Sequence, residues 1–189
     1  MDSKAGIERM SGFSLTELVV VMLVVGIIAA IGTPSFKYVT TSNRIASEIN
    51  ALMGDLQYAR SEAIKQGEIV TVCASVSGTQ CDGGNNWQGG WIVFLDSATG
   101  GTVGTVDPGE VIVRSEPAFN PPGDTLQPLG GLNLSAVSFN RVGYGTTGNG
   151  VPVILALHDS SNTAQWTRCL AISPVGMLTV ETTSQPGCT

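Results

Sequence analysis

The chain has 189 residues, of which 13% are charged and 24 are glycine, and its formal net charge is -6. That length accommodates one domain with a real core and excludes a second large one. Low charge and positive mean hydropathy exclude a disordered chain, and the acidity opposes a phosphate-binding surface: from residue 67 onward three arginines face nine carboxylates. The composition points to a membrane-attached, turn-rich and β-rich protein.

The first element follows a short leader holding Lys4 and Arg9. Residues 12–36 read GFSLTELVVVMLVVGIIAAIGTPSF, with no charge anywhere beyond Glu17. A helix over 13–33 rises about 31 Å, which matches the ~30 Å hydrocarbon core of a bilayer. A carboxylate at the head of such a helix is unfavourable, by up to ~3 kcal/mol near the bilayer centre. Glu17 therefore needs a partner, or a place at headgroup level where it does nothing. A cleavable secretory signal is the competing reading, but the segment runs on through Gly32-Thr33-Pro34 into a further helical pattern. Lys4 and Arg9 on one side are balanced by Lys37 and Arg44 on the other, so charge alone leaves the orientation open.

Beyond Pro34, where a helix loses a hydrogen bond and bends, Ile45, Ile49, Leu52, Leu56, Ala59 and Ala63 recur at steps of four and three. This stripe predicts an amphipathic helix over 37–66, facing a core and stopped by Gly67 behind Lys65. The period then changes to two. Strands are predicted at 68–76, 90–96, 110–116, 132–141, 151–159, 165–173 and 177–182, with loop-like linkers at 97–109 and 117–131. One long helix followed by a sheet is an α+β arrangement.

The four cysteines, Cys73, Cys81, Cys169 and Cys188, contain no C-x-x-C, and the lone His158 cannot complete a convincing metal cluster. Disulfides fit better than zinc or four buried thiols. Of the three connectivities, local pairing of Cys73 with Cys81 and Cys169 with Cys188 would close a short loop and staple the C-terminal tail to a strand. Disulfides would place the β-rich part in an oxidising compartment.

Catalytic and cofactor patterns are weak. Residues 143–148 satisfy G-x-G-x-x-G, but a strand follows rather than the helix that a nucleotide phosphate needs, so the motif reads as a turn. Asp96, Asp107 and Glu110 flank a glycine-rich stretch without the oxygen alternation of a calcium loop, and Asp107-Pro108-Gly109 is ordinary turn chemistry. With one histidine and no nucleophile or P-loop motif, the chain is expected to be no enzyme and to hold no cofactor or metal.

Gly12-Phe13-Ser14-Leu15-Thr16-Glu17, behind a short charged leader and ahead of an unbroken apolar helix, resembles the class III signal of type IV prepilins. The rest of the chain, including GGWIVFLD, VSFNRVGYG and CLAISPVGMLTVE with a final cysteine, is similar to minor pilins and pseudopilins of the GspH/FimT type. The resemblance implies a type IV pilin fold, a long N-terminal helix packed on an antiparallel sheet domain. Its parts would be a leader (1–12), a transmembrane and assembly helix (13–36), an amphipathic helix (37–66) and a β-rich domain (67–189). It further implies that a prepilin peptidase cuts between Gly12 and Phe13 on the cytoplasmic face and methylates the amine of Phe13. Pro34 matches the helix-bending proline of pilins, and Glu17 the carboxylate that pairs with the N-terminal ammonium of a neighbouring subunit. Such a pair acts mainly as a register key, because a lone buried charge costs more than a paired one.

The function implied is that of a minor pilin in the tip or priming complex of a type IV pilus, supporting assembly, adhesion and twitching motility. Its partners would be the peptidase, other minor and major pilins and the inner membrane, with the β domain periplasmic until it reaches the extracellular pilus tip. A minor pseudopilin of a type II secretion system shares every one of these residues. A DNA-uptake receptor is the third reading, but DNA is not an expected partner: the Gly-Arg-x-Arg motif of such receptors reads Gly176-Met177-Leu178-Thr179 here.

Overall fold

A computed structural model describes residues 12–96, 101–120, 122–146, 152–182 and 188, except the side chains of 33 and 34. The chain forms two compact units, Met1–Thr40 and Thr41–Thr189. A single helix, α1 (Leu15–Gln66), begins in the first and ends in the second. Its ends follow the helix dipole, with Glu17 in the first turn and Lys65 in the last. Gly67 stops it by adopting φ 73° and donating its N–H to the Ala63 carbonyl at 3.0 Å, a left-handed cap that a side chain would strain.

Among the described residues of the second unit, nine strands form two antiparallel sheets. The five-stranded sheet has the order β3-β2-β1-β5-β6, from β1 (Ile69–Ala74), β2 (Gly90–Asp96), β3 (Val111–Pro117), β5 (Ala136–Phe139) and β6 (Gly145–Thr146). The four-stranded sheet has the order β4-β7-β8-β9, from β4 (Thr125–Pro128), β7 (Val153–His158), β8 (Arg168–Ile172) and β9 (Leu178–Thr182). The apolar stripe of α1, Ile45 to Ala63, is buried, as its spacing predicts. It packs against alternate residues of both sheets: Val70, Val72 and Ala74 from β1, Val137 and Phe139 from β5, Leu155 and Leu157 from β7, Leu170 and Ile172 from β8. The opposite parity of the first sheet holds a smaller cluster of Cys73, Ile92 and Phe94.

Several strand expectations need correction. β8 begins at Arg168 rather than 165, behind a single 3-10 turn at Ala164–Trp166, and the two-residue β6 falls outside every predicted strand. The predicted linker 117–131 contains β4, which pairs with β7 from Thr125↔His158 to Pro128↔Leu155. Four residues with a proline give too short an alternation to stand out in sequence. The strand predicted from 132 begins only at Ala136, because side chains take the backbone groups before it. Leu134 donates its N–H to Asn85 Oδ1 (2.7 Å), and its carbonyl accepts from Trp87 Nε1 (2.8 Å).

Polar contacts fasten α1 to the sheets. Arg44 grips Asp124 with two hydrogen bonds, Nε to Oδ2 at 2.8 Å and Nη2 to Oδ1 at 3.0 Å. Glu48, one turn on, is buried 3.9 Å from Arg44 Nε, and neither of its carboxyl oxygens accepts a hydrogen bond. Burial, then the neighbouring Asp124 carboxylate, push the Glu48 pKa from 4.5 up to about 7, against the partial opposition of Arg44. The folded state therefore holds this proton more tightly than the unfolded chain does. The resulting penalty is absent below about pH 4.5, grows as pH rises to about 7, and is constant above. Glu48→Gln should thus stabilise the globular unit by about 1–2 kcal/mol at pH 8, after discounting for screening, and leave it unchanged at pH 4. Melting curves of both proteins across this range check it; a pH-independent difference would refute the account of Glu48.

Candidate assembly site

The first unit is built around an exposed apolar helix. Ser14 caps it, its Oγ accepting the Glu17 N–H at 3.2 Å while its carbonyl accepts that of Leu18 at 3.2 Å. Ser14 and Glu17 stand in the S-x-x-E spacing of a capping box, a local signal that the sequence reading passed over. Glu17 lies in the first turn, at the positive end of the helix dipole. Phe13 is 81% exposed, and every residue from 12 to 32 is exposed. The helix is long and apolar enough to cross a membrane. So much contiguous apolar surface requires lipid or other apolar helices against it. Along one face Leu18, Met22, Gly26 and Ala30 line a shallow groove, where Gly26 has no neighbour within 4 Å and a second helix can approach closely. Pro34 falls within α1, and its side chain lies outside the described residues, as does the leader before Gly12.

The four cysteines lie in the second unit, joined as Cys73–Cys81 and Cys169–Cys188, each pair with its Cα atoms 5.6 Å apart. The first bond closes a loop over the outer cluster with Ile92 and Phe94. The second packs with Ala156 in an apolar pocket, and Cys188 is fully buried.

The remaining candidates serve local structure. Asn140 Oδ1 accepts the N–H groups of Val142 and Tyr144, closing a turn ahead of β6, while 147 and 148 of the glycine motif lie outside the described residues. Asp96 Oδ2 accepts from Thr71 Oγ1 (2.7 Å) and the Gly104 N–H (2.8 Å). Asp107 accepts the Thr102 N–H, and Glu110 that of Asp107. His158 Nδ1 lies 3.1 Å from Thr167 Oγ1. Among the described residues no group of three His, Cys, Asp or Glu could hold a metal ion.

Residues 48–176 match the family model described as type II transport protein GspH. The chain belongs to the GspH family. Two crystal forms of the type IV minor pilin FimU of Pseudomonas aeruginosa (strain PAO1) are similar in fold, at 22% identity. The P21 form gives a TM-score of 0.57 over 77% of this chain and 95% of FimU; the P65 form gives 0.54 over 76% and 98%. The minor pseudopilin EpsH from the type 2 secretion system of Vibrio cholerae is 13% identical, with a TM-score of 0.50 over 75% of this chain and 99% of EpsH. No curated protein matches the chain. The GspH-family chain thus has the type IV pilin fold of these minor pilins and pseudopilins, which are structural subunits and not enzymes. The exposed apolar helix fits membrane anchoring.

Proposed function

We propose that this GspH-family chain is a minor pilin of a type IV pilus. It is cleaved by a prepilin peptidase between Gly12 and Phe13, methylated on Phe13, and held in the inner membrane by residues 13–36. Its 67–189 part faces the periplasm and then joins the tip complex, where the subunit supports assembly, adhesion and twitching motility. The observation that carries this reading is the exposed, uncharged stretch of α1 that begins directly behind Glu17. Its cover within a filament would be the equivalent helices of other subunits, and the partner of Glu17 a neighbour's N-terminal ammonium. The two disulfides support an oxidising compartment for the β-rich part. Similarity to FimU favours a pilus, while the family description and the likeness to EpsH favour the second reading, a minor pseudopilin of a type II secretion system. A DNA-receptor role has less support, since Met177 and Thr179 occupy the arginine positions of that motif.

Intact-mass analysis of membrane and filament fractions tests the assembly reading. The mature chain should begin at methylated Phe13, and Gly12→Val should remain uncut. Glu17→Val should be cleaved and inserted yet fall at least about tenfold in the filament fraction, because it leaves a neighbour's ammonium unpaired. A different mature N-terminus, or normal incorporation of Glu17→Val, would overturn the reading. Deleting the chain should abolish pili in the first case and protein secretion in the second.

A further inference from the structure

Three separated parts of the second unit meet at the C-terminal end of α1. Arg60 donates from Nη1 to the Gly176 carbonyl (2.8 Å) and from Nη2 to the Val175 carbonyl (3.3 Å), stitching the turn at 173–177 to the helix. A Cβ at Gly176 would strike the Gly143 carbonyl, and one at Gly143 would lie 2.9 Å from Ile64 Cδ1. Both turns are therefore pressed against each other and against α1. Each is also locked from within. Asn140 holds the first through Val142 and Tyr144, and Ser173 holds the second, its carbonyl accepting the Gly176 N–H and its Oγ the Met177 N–H, both at 2.9 Å. A bond from the Gly145 N–H to the Pro174 carbonyl (3.0 Å) ties one turn to the other.

This rigid platform presents apolar side chains. Ile64, Val142, Tyr144, Val175 and Met177 are between 48% and 64% exposed. Turn tips ordinarily carry polar residues, and single exposed apolar residues are commonplace, but five on one pre-formed surface mark an interaction site. Tyrosine, methionine and arginine are the types enriched at protein interfaces, and a locked backbone limits the ordering cost of binding. The charge there is also reversed. Residues 41–189 hold six Lys and Arg against twelve Asp and Glu, yet segments 140–146 and 173–177 contain no carboxylate, while Arg60 and Arg141 lie at the platform. Two arginines are too few for a nucleic-acid backbone, which is held by many basic contacts. A protein surface with an apolar centre and an acidic rim complements the platform in both respects.

We propose that the platform of Ile64, Val142, Tyr144, Val175 and Met177, with Arg60 and Arg141, docks a neighbouring pilin-like subunit through an acidic-rimmed apolar surface on that neighbour. The proposal rests on the assembly reading above. Site-specific photo-crosslinking of the full chain in the cells that naturally make it tests both. Met177→p-benzoylphenylalanine should give a light-dependent adduct with one other chain that carries a pilin-type N-terminal signal, identified by mass spectrometry. The same substitution at Val76, an equally exposed apolar residue on the disulfide loop, should not. Arg141→Glu should cut the yield at least about fivefold, and Arg141→Lys should retain it. Adducts only with lipid, nucleic acid or a second copy of this chain, or equal yields at both positions, overturn the docking surface. The filament fraction of the same cells separates the two ideas. Incorporation without the adduct sinks the platform alone, whereas the adduct without incorporation sinks the filament reading and keeps the platform.

Discussion

Asp55→Ala is expected to destabilise the globular unit by about 2–4 kcal/mol and to lower its melting temperature by roughly 6–12 °C. Asp55 lies on α1 between the core residues Leu52 and Leu56 and is itself buried. Its Oδ2 accepts the indole N–H of Trp91 at 2.9 Å, and its Oδ1 accepts from Arg114 Nη1 at 2.8 Å. The two partners differ in what they lose. Trp91 is fully buried on β2, so its N–H would be stranded without an acceptor and would carry the full desolvation cost. Arg114 is half exposed and stacked over the Tyr58 ring, 3.8 Å from its centroid, so its guanidinium can return to water at little cost. The acceptor should therefore matter more than the charge. Asp55→Asn, which keeps an oxygen for the indole, and Arg114→Ala should each cost only about 1 kcal/mol. Chemical denaturation of the three variants decides it. Equal losses for Asp55→Asn and Asp55→Ala would show that the ion pair dominates.

Sequence carried the helix and its inner stripe plainly, because a 3.6-residue period extending from Ile45 to Ala63 has few alternatives. The main strands were legible for a similar reason: β1, β2 and β7 are buried, continuous and bounded by glycine or proline. Less visible was the division into two sheets, since alternation gives the faces of a strand and not its neighbour. The start of β5 was misplaced because Asn85 and Trp87, some fifty residues earlier, take the backbone groups of Leu134. Long-range side-chain bonds of this kind leave no periodic trace. The candidate sites divide in the same way. Residues 12–17 are contiguous and could be read directly, including the Ser14 cap that their spacing encodes. The apolar platform could not, for its parts come from α1 and two turns, and a count of basic residues from 67 onward omits Arg60, the group that joins them.

Loss of the Cys169–Cys188 bond should cost the globular unit about 3 kcal/mol, and loss of Cys73–Cys81 somewhat less, about 2.5 kcal/mol. In the chain-entropy account the difference follows from loop size, the sequence separations being 19 and 8. Position reinforces the order. Cys169 lies within β8, and Cys188 follows β9, an edge strand of the four-stranded sheet among the described residues. Cutting that bond removes Cys188 from a fully buried apolar cluster, while β9 keeps its ladder to β8 and the packing of Leu178 on the core. Cys73–Cys81, by contrast, constrains a loop whose strand is already paired on both sides, with β2 and β5. The pairs share no partner, so full reduction should approach the sum and lower the melting temperature by roughly 10–20 °C. Calorimetry with and without reductant, on the native chain and on paired Cys→Ser variants, measures each contribution. The Cys169→Ser/Cys188→Ser protein should melt below the Cys73→Ser/Cys81→Ser protein. A reversed order would contradict the stapling role, and four alkylatable thiols in periplasm-derived protein would contradict the oxidising compartment as well.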